Sequence, residues 1–178
     1  MTFRIVEERP AWRGRRISVA VLEVDGPDGQ RFEREIVHHP GAVAMVPLHE
    51  DGTVTLVHQF RAAVDHTMWE IPAGMRDVAD ELPEDTAQRE LAEEVGLRAG
   101  RLEYVARFHN SVGFSDESVV IYLATELSEV ADDRQEAEEQ HMDVERVPLA
   151  TALAMVDDGR ITDAKTVIAL LTLARRGL

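Results

Sequence analysis

Two short apolar segments in the first third of the chain constrain its fold more than any other feature. Residues 41–48 read GAVAMVPL, residues 53–60 read TVTLVHQF, and the polar residues HEDG separate them. Runs of this length that are apolar on both faces are typical of strands covered on both sides by other layers. These segments therefore predict a pair of buried strands within an α/β fold.

The first forty residues have a different pattern. RRISVAVLEV and QRFEREIV have the residue pattern of strands, and DGPDGQ between them is rich in turn-forming residues. We expect an N-terminal antiparallel β element over residues 1–40 and a second domain over residues 41–178. HTMWEIPAG, residues 66–74, predicts one more short strand, which Pro72 and Gly74 end.

The rest of the chain mixes strands with helices. A helix is predicted over residues 83–95, because Pro83 suits its first position and Gly96 suits the residue just past its end. Strands are predicted within residues 101–110, 118–127 and 142–149, and helices near 149–157 and after Asp163. The apolar stripe of the last helix is expected to comprise Val167, Ile168, Leu171 and Ala174. This order indicates a mixed sheet flanked by helices.

Charge and composition limit the possible partners. The 178 residues include 34 acids and 19 bases, a formal net charge of −15. Nucleic acid or an anionic membrane surface requires a basic footprint, so neither is an expected partner. An anionic substrate would have to be met by local arginines or a bound cation. The chain has no cysteine and no apolar run of signal-peptide length at its N-terminus, so we expect a cytoplasmic protein.

The predicted helix 83–95 carries three glutamates close together. Its apolar residues at four-residue spacing are expected to face the core, which leaves Glu90, Glu93 and Glu94 within about one turn of each other on the other side. Converging carboxylates suit a hard cation such as Mg²⁺ or Mn²⁺. The alternative is a solvated acidic face, which is common in a protein this acidic.

The wider sequence favours the metal site. GMRDVADELPEDTAQRELAEEVGL, from Gly74, resembles the Nudix box, G-x5-E-x7-R-E-U-x-E-E-x-G-U with U aliphatic. The matching positions are Gly74, Glu81, Arg89, Glu90, Leu91, Glu93, Glu94, Gly96 and Leu97. Six residues instead of five separate Gly74 from Glu81, but this insertion precedes the helix and leaves the helical spacing unchanged. WEIPAG, SVGFSDES and HHPGAVAMVPL resemble the ADP-ribose pyrophosphatase branch of that superfamily.

The resemblance implies a fold and an assembly. Members of that branch fold as an α/β/α sandwich with a mixed sheet, and an N-terminal antiparallel sheet is usually exchanged between two subunits. The strand-rich residues 1–40 agree with such an element. We therefore expect a homodimer whose two sites draw on both chains.

The resemblance also implies roles within the box. Glu90 and Glu94 would bind Mg²⁺ or Mn²⁺, with Glu93 as a further ligand and the backbone carbonyl of Ala73 completing the site. The remaining box residues would be structural. Arg89 and Glu81 would hold the loop against the helix and orient the metal ligands, and Gly74 and Gly96 are the other two structural positions.

Substrate contacts are expected outside the box. In the family, an Arg at the position of Arg61 contacts the diphosphate, although a plain surface Arg is the alternative. Glu70 either hydrogen-bonds the substrate or braces an arginine. Residues 111–117 are expected to line the ribose side, with Gly113 and Phe114 in the loop and Glu117 in contact.

The acidic stretch before residue 142 is expected to carry the catalytic base. Members of the branch take a water-activating glutamate from the loop before the last strand, and Glu138 and Glu139 are the candidates by position. Glu93 is a further candidate for a catalytic role. A run of acids in a loop that is merely solvated is the alternative.

One position departs from the branch. A proline is common about fifteen residues after the box, and Val112 stands there between Ser111 and Gly113. Because proline would restrict that loop, the exact substrate is less constrained than the chemistry. The expected activity is hydrolysis of ADP-ribose to AMP and ribose 5-phosphate. Other nucleotide sugars or dinucleotides, a non-catalytic nucleotide-binding sensor and a plain structural cation site are the alternatives.

Overall fold

The structure is a computed structural model that describes residues 2–131 and 139–178. The described strands are β1 Arg4–Arg13, β2 Ser18–Asp25, β3 Arg31–His38, β4 Ala42–Pro47, β5 Thr53–Arg61, β6 His66–Glu70, β7 Ala73–Met75, β8 Leu97–His109, β9 Ser118–Glu129 and β10 Asp143–Pro148. The helices are α1 Pro83–Val95, α2 Leu149–Asp157 and α3 Ala164–Arg175, with a short 3₁₀ turn at Glu139–His141. No helix in the described ranges is long and apolar enough to cross a membrane.

The strands form three sheets. Their orders are β1-β2-β3, β10-β5-β6 and β7-β4-β9-β8. The apolar segments 41–48 and 53–60 supply β4 and β5, which lie in different sheets and are buried along most of their length. Together with the three helices, this is the mixed α/β fold that the sequence predicts.

The chain divides into two compact units. One comprises residues 1–41 and 108–119, and the other comprises residues 42–107 and 120–178. In the first unit β2 pairs antiparallel with both β1 and β3. The backbone N–H of Val37 donates to the carbonyl of Phe114, which joins the 108–119 segment to β3.

Helix α1 packs its apolar face into the core of the second unit. Val43 and Met45 of β4 contact Ala87 and Leu91 of α1, and all four side chains are fully buried. The helix begins at Pro83 and ends at Val95, and the next residue, Gly96, has a φ of 63°, the left-handed conformation that glycine adopts most easily. The predicted bounds 83–95 are confirmed.

The stripe predicted for the last helix is wrong. The buried side chains of α3 are Thr166, Ala169, Leu170 and Leu173, and Leu171 is 44% exposed. The predicted stripe comprised only apolar residues, whereas the buried face begins with a threonine whose hydroxyl is hydrogen-bonded. A polar residue with satisfied hydrogen bonds can occupy a core position. The buried face of α3 is therefore shifted by about one residue from the predicted stripe.

Two strands were not anticipated individually. All ten residues of β1 are exposed, and Pro10 interrupts its pattern, so no burial periodicity marks it as a strand. Strand β7 has only three residues and lies where the predicted strand 66–74 ends and a loop was expected. Strand β7 pairs antiparallel with β4, through Ala42–Met75, Val43–Gly74 and Ala44–Ala73. This pairing makes the segment a strand, although its local sequence does not predict one.

Candidate active site

Arg89 joins Glu81, in the loop before α1, to Glu90 and Glu93 of the helix. Its Nη1 donates to Glu90 at 2.7 Å and to Glu93 at 3.0 Å. Its Nε and Nη2 donate to the two carboxylate oxygens of Glu81 at 3.3 and 3.2 Å. Thr86 also donates to Glu81, at 2.8 Å. The planar guanidinium therefore ties the loop before α1 to two glutamates of the helix.

The charges of this cluster support one another. The hydrogen bond from Arg89 lowers the pKa of the Glu81 carboxyl below its usual value. Burial alone would lower the pKa of Arg89, but the hydrogen bond to Glu81 and the charges of Glu90 and Glu93 outweigh it and raise that pKa. The Glu81 carboxylate is therefore held ionised beside a permanent cation.

Glu90 and Glu94 lie one helical turn apart, next to β7. Glu90 is 8% exposed and Glu94 is 4% exposed, and an Oε of Glu94 accepts a hydrogen bond from the backbone N–H of Ala73 at 3.0 Å. A Cβ built on Gly74 would overlap the carboxylate of Glu90. The structure thus brings together Ala73, Gly74, Glu90 and Glu94, which the sequence singled out separately.

The donor set suits a hard divalent cation. Carboxylate oxygens and a backbone carbonyl are the ligands that Mg²⁺ prefers, and buried carboxylates in proteins are normally paired or bound to metal. Among the described residues, no three His, Cys, Asp or Glu side chains are already grouped as a metal site would group them. In this arrangement Arg89 and the Ala73 N–H hold oxygens of the three helix glutamates.

Arg61 ends β5 and meets Glu70 at the end of β6. Its Nε donates to Oε1 of Glu70 at 2.7 Å and its Nη2 donates to Oε2 at 2.6 Å, a bidentate pair. Glu70 is 1% exposed, whereas the Arg61 side chain is 41% exposed. The Arg therefore reaches from a buried anchor towards solvent.

Two cations keep Glu70 ionised in spite of its burial. Burial raises the pKa of the Glu70 carboxyl, but the hydrogen bond from Arg61 and the charge of Lys165 outweigh it, so the pKa lies below its usual value. The hydrogen bond to Glu70 in turn raises the pKa of Arg61. Of the two readings of Glu70, the contact with an arginine is present here.

The residues expected on the ribose side belong to the other compact unit. Gly113 has open space around its Cα, and the Phe114 side chain is 56% exposed. The Glu117 carboxylate lies 3.9 Å from Nδ1 of His39. The loop is shaped by hydrogen bonds from the N–H groups of Phe114 and Ser115 to the carbonyl of Ser111.

The side chains of the two candidate bases lie outside the described part of the structure. Glu138 lies outside the described residues. Glu139 begins the 3₁₀ turn Glu139–His141 just before β10, and only its backbone is described. Their catalytic role stays a prediction.

Sequence reasoning missed Lys165 of α3, which pairs with Glu70. Lys165 also forms an ion pair at 3.0 Å with Asp163, the residue that caps the helix. One signal was present in the sequence, since Lys165 is the only lysine among the 19 basic residues. Within the first unit, the Nδ1 atom of His38 lies 2.6 Å from an oxygen of Asp116, a contact that the sequence did not indicate.

Comparisons with known proteins identify the family of this chain. The NUDIX domain matches residues 38–170. An ADP-ribose pyrophosphatase of Bacillus subtilis (strain 168) is 39% identical over 167 residues, covering 94% of this chain and 90% of that protein. An ADP-ribose pyrophosphatase of Mycobacterium tuberculosis (strain ATCC 25618 / H37Rv) is 41% identical over 149 residues, covering 84% and 72%.

A solved structure has the same fold. The crystal structure of an ADP compounds hydrolase superposes with a TM-score of 0.85 at 22% sequence identity, covering 98% of this chain and 94% of that one. The domain match, the extent of the relatives and the box residues gathered around α1 lead to one assignment. The chain belongs to the Nudix hydrolase family.

Proposed function

We propose that this protein is a divalent-metal-dependent pyrophosphohydrolase that converts ADP-ribose and water to AMP and ribose 5-phosphate. The observation that carries the proposal is the pair of buried carboxylates, Glu90 and Glu94, beside Ala73 and Gly74 in a complete Nudix box. Two relatives that share 39% and 41% of their aligned residues with this chain are ADP-ribose pyrophosphatases, which supports the choice of substrate.

The helix glutamates and β7 would hold the cation. Glu90 and Glu94 would supply two ligands, Glu93 a third, and the Ala73 carbonyl a fourth. When bound, Mg²⁺ or Mn²⁺ neutralises the diphosphate and lowers the pKa of a coordinated water. Arg89 and Glu81 keep the glutamates oriented, and Gly74 gives the Glu90 carboxylate room beside β7.

The other groups bind the substrate and move a proton. Arg61 binds the diphosphate, with Glu70 fixing the plane of its guanidinium. Gly113, Phe114 and Glu117 bind the ribose. Glu138 or Glu139 accepts a proton from a water molecule while the water oxygen attacks one phosphorus of the diphosphate. The bond between that phosphorus and the bridging oxygen breaks in the same step.

A second candidate substrate class is the other nucleotide sugars and dinucleotides. Val112, which stands where the ADP-ribose branch commonly has proline, is 77% exposed in the turn after β8. A loop without that proline has more conformations available to it, and this favours a broader range of groups on the far side of the diphosphate.

We further propose that residues 1–40 mediate a homodimer and that residues 41–178 form the catalytic domain. Strand β1 supports the first part, because Phe3, Ile5, Val6 and Trp12 in or beside it are exposed apolar side chains. Exposed apolar groups along a sheet are typical of a surface that a partner covers.

The test is hydrolysis of a substrate panel with and without Mg²⁺. ADP-ribose, GDP-mannose, a dinucleoside polyphosphate and a flavin dinucleotide are compared by measuring phosphate released after phosphatase treatment of the products. ADP-ribose should give the highest kcat/KM, and chelation should abolish turnover. Equal, metal-independent rates on all four compounds would refute the proposal.

A further inference from the structure

The first turn of α3 carries three polar residues that lie outside the Nudix box. Asp163 caps the helix, because its Oδ2 accepts hydrogen bonds from the N–H of Thr166 at 3.0 Å and from its hydroxyl at 2.6 Å. The Lys165 side chain is 13% exposed and lies between two carboxylates. Its Nζ contacts Oδ1 of Asp163 at 3.0 Å and donates to Oε2 of Glu70.

This turn is joined to the chain segment that follows β6. The backbone N–H of Ile71 donates to the hydroxyl oxygen of Thr166 at 2.9 Å, next to the contact between Glu70 and Lys165. Ile71 and Thr166 are fully buried. The helix therefore fixes both the side chain of residue 70 and the backbone of residue 71.

Because Glu70 is held in place by α3, it also fixes the orientation of the Arg61 guanidinium. The carboxylate occupies the Nε–Nη2 edge of the guanidinium, so the plane of the Arg follows the plane of the Glu. An arginine held along that edge can still bind a phosphate through its Nη1 end. Any rotation of the Glu70 carboxylate would redirect that end.

Charge gives Lys165 a second effect. Arg61 and Lys165 are two cations and Glu70 and Asp163 are two anions, so the four groups sum to zero. Without Lys165 the sum would be −1, beside a site that has to accept a negatively charged diphosphate. The chain otherwise uses arginine for all its basic residues, and a lysine ammonium contacts both carboxylates here as a compact point charge.

We infer that Lys165 is a positioning residue, which holds Glu70 and through it orients Arg61 towards the substrate diphosphate. The inference rests on the proposed function of Arg61. It assigns a part of the binding apparatus to α3, more than sixty residues beyond the box.

Steady-state kinetics on ADP-ribose with Mg²⁺ separate positioning from general stability. Lys165→Met should raise KM roughly tenfold, as expected for a misplaced charged hydrogen bond, with kcat within about threefold of the parental value. Lys165→Arg should recover part of the KM. Arg146→Met is the matched control, because Arg146 is a half-exposed cation paired with Asp51 near the opposite end of β5.

A double variant tests whether Lys165 acts through Glu70. In a Glu70→Gln background, Lys165→Met should raise KM by less than about twofold, since coupled residues are not additive. A full tenfold effect in that background would overturn the inference. The inference would also be overturned if Lys165→Met lowered the melting temperature and left KM unchanged, because Lys165 would then have only a structural role.

Binding of ADP distinguishes failure of this inference from failure of the proposed function. If the parental protein does not hydrolyse ADP-ribose, the substrate assignment falls, and calorimetric titration with ADP still measures diphosphate affinity. Lys165→Met should weaken that affinity at least about fivefold, and an unchanged affinity would overturn the role of Lys165. If Lys165→Met does not fold, Lys165→Gln is judged by the same affinity ratio.

The single lysine also provides a direct spectroscopic measurement. Because the chain has one lysine, lysine labelled with ¹⁵N at Nζ gives a single side-chain resonance in NMR spectra. Glu70→Gln and addition of ADP should each shift that resonance. A signal at the position of a solvent-exposed lysine that neither change affects would contradict the contact on which the inference depends.

Discussion

The α carbon of Gly74 lies so close to the carboxylate of Glu90 that no larger residue fits between them. A Cβ at position 74 would overlap Cγ, Cδ and Oε2 of Glu90. The φ angle of Gly74 is not in the left-handed region, so the requirement for glycine here is space and not backbone conformation. The box glycine is thus explained by a metal-ligand candidate that lies 16 positions later in the sequence.

Gly74→Ala should therefore impair activity more than stability. The added methyl would displace the end of a buried side chain, and a misplacement of about 1 Å in a catalytic group can cost about 100-fold in rate. The measurement is kcat/KM together with the melting temperature. Gly26→Ala is the control, since the nearest contact of its Cβ would be the side chain of exposed Asp28; equal activity of the two variants would contradict the explanation.

Glu94→Gln should remove most of the activity while leaving the fold intact. The amide retains an oxygen that can accept from the Ala73 N–H but loses the negative charge that a divalent cation requires. Because a catalytic cation contributes several kcal/mol, a loss of at least about 100-fold in kcat is expected. Glu103→Gln, at a half-exposed surface position, should keep full activity, and parental turnover by Glu94→Gln would show that the proposed ligands are wrong.

Arg89→Lys should weaken metal binding even though it keeps the charge. A lysine cannot reproduce four hydrogen bonds directed at Glu81, Glu90 and Glu93 from one planar group. Loss of such supporting contacts typically costs about 10- to 100-fold in metal affinity or activity. The Mg²⁺ concentration that gives half-maximal rate is the measurement. Arg101→Lys, in a mostly exposed ion pair, is the control and should not change it.

Stability should fall on acidification partly because of Glu70. Its folded-state pKa lies below the ordinary value of 4.5, so as the pH falls the unfolded chain binds the proton first. The ion pair with Arg61 and Lys165 therefore stabilises the fold above about pH 4.5, and this contribution is lost as the pH falls through the folded-state pKa. Denaturant unfolding should show a shallower pH dependence for Glu70→Gln than for the parent; identical slopes would contradict the shift.

The proposed dimer should depend on the exposed apolar residues of β1. Ile5→Asp places a charge at a position that is 62% exposed within the chain, so the fold of one subunit should tolerate it while the interface should not. Light scattering should give twice the chain mass for the parent and a lower mass for the variant. A chain lacking residues 1–38 should be monomeric or insoluble. A parental protein with the mass of one chain would refute the proposal.

The sequence determined some elements of this fold more clearly than others. Helix α1 was predictable to the residue because Pro83 and Gly96 mark its ends and α1 is long enough for a clear apolar face. Strand β1 was not predictable, because all its residues are exposed and its sequence therefore shows no alternation of buried and exposed positions. The face of α3 was misassigned because Thr166 is polar by composition but fully buried by virtue of its hydrogen bonds.

The candidate site shows the same division. The spacing of Glu90 and Glu94 on one helix is a local property, and so their proximity could be inferred. The contact between Glu70 and Lys165 joins residues 95 positions apart, and no local rule predicts such a pairing. The one indication in the sequence was its composition, since Lys165 is the single lysine and the other 18 Lys and Arg residues are all arginine.

The two stretches on either side of Gly74 differ in how well they can accommodate an inserted residue. Residues 70–73 are fixed at one end by Arg61 and Lys165 and at the other by Glu94, so an extra residue there would have to break one of these attachments. Residues 75–80 already carry one residue more than the usual box, with Asp80 in a left-handed conformation at a φ of 62°. Insertions in natural variants of this chain should therefore accumulate after Gly74 and be absent from the four residues before it.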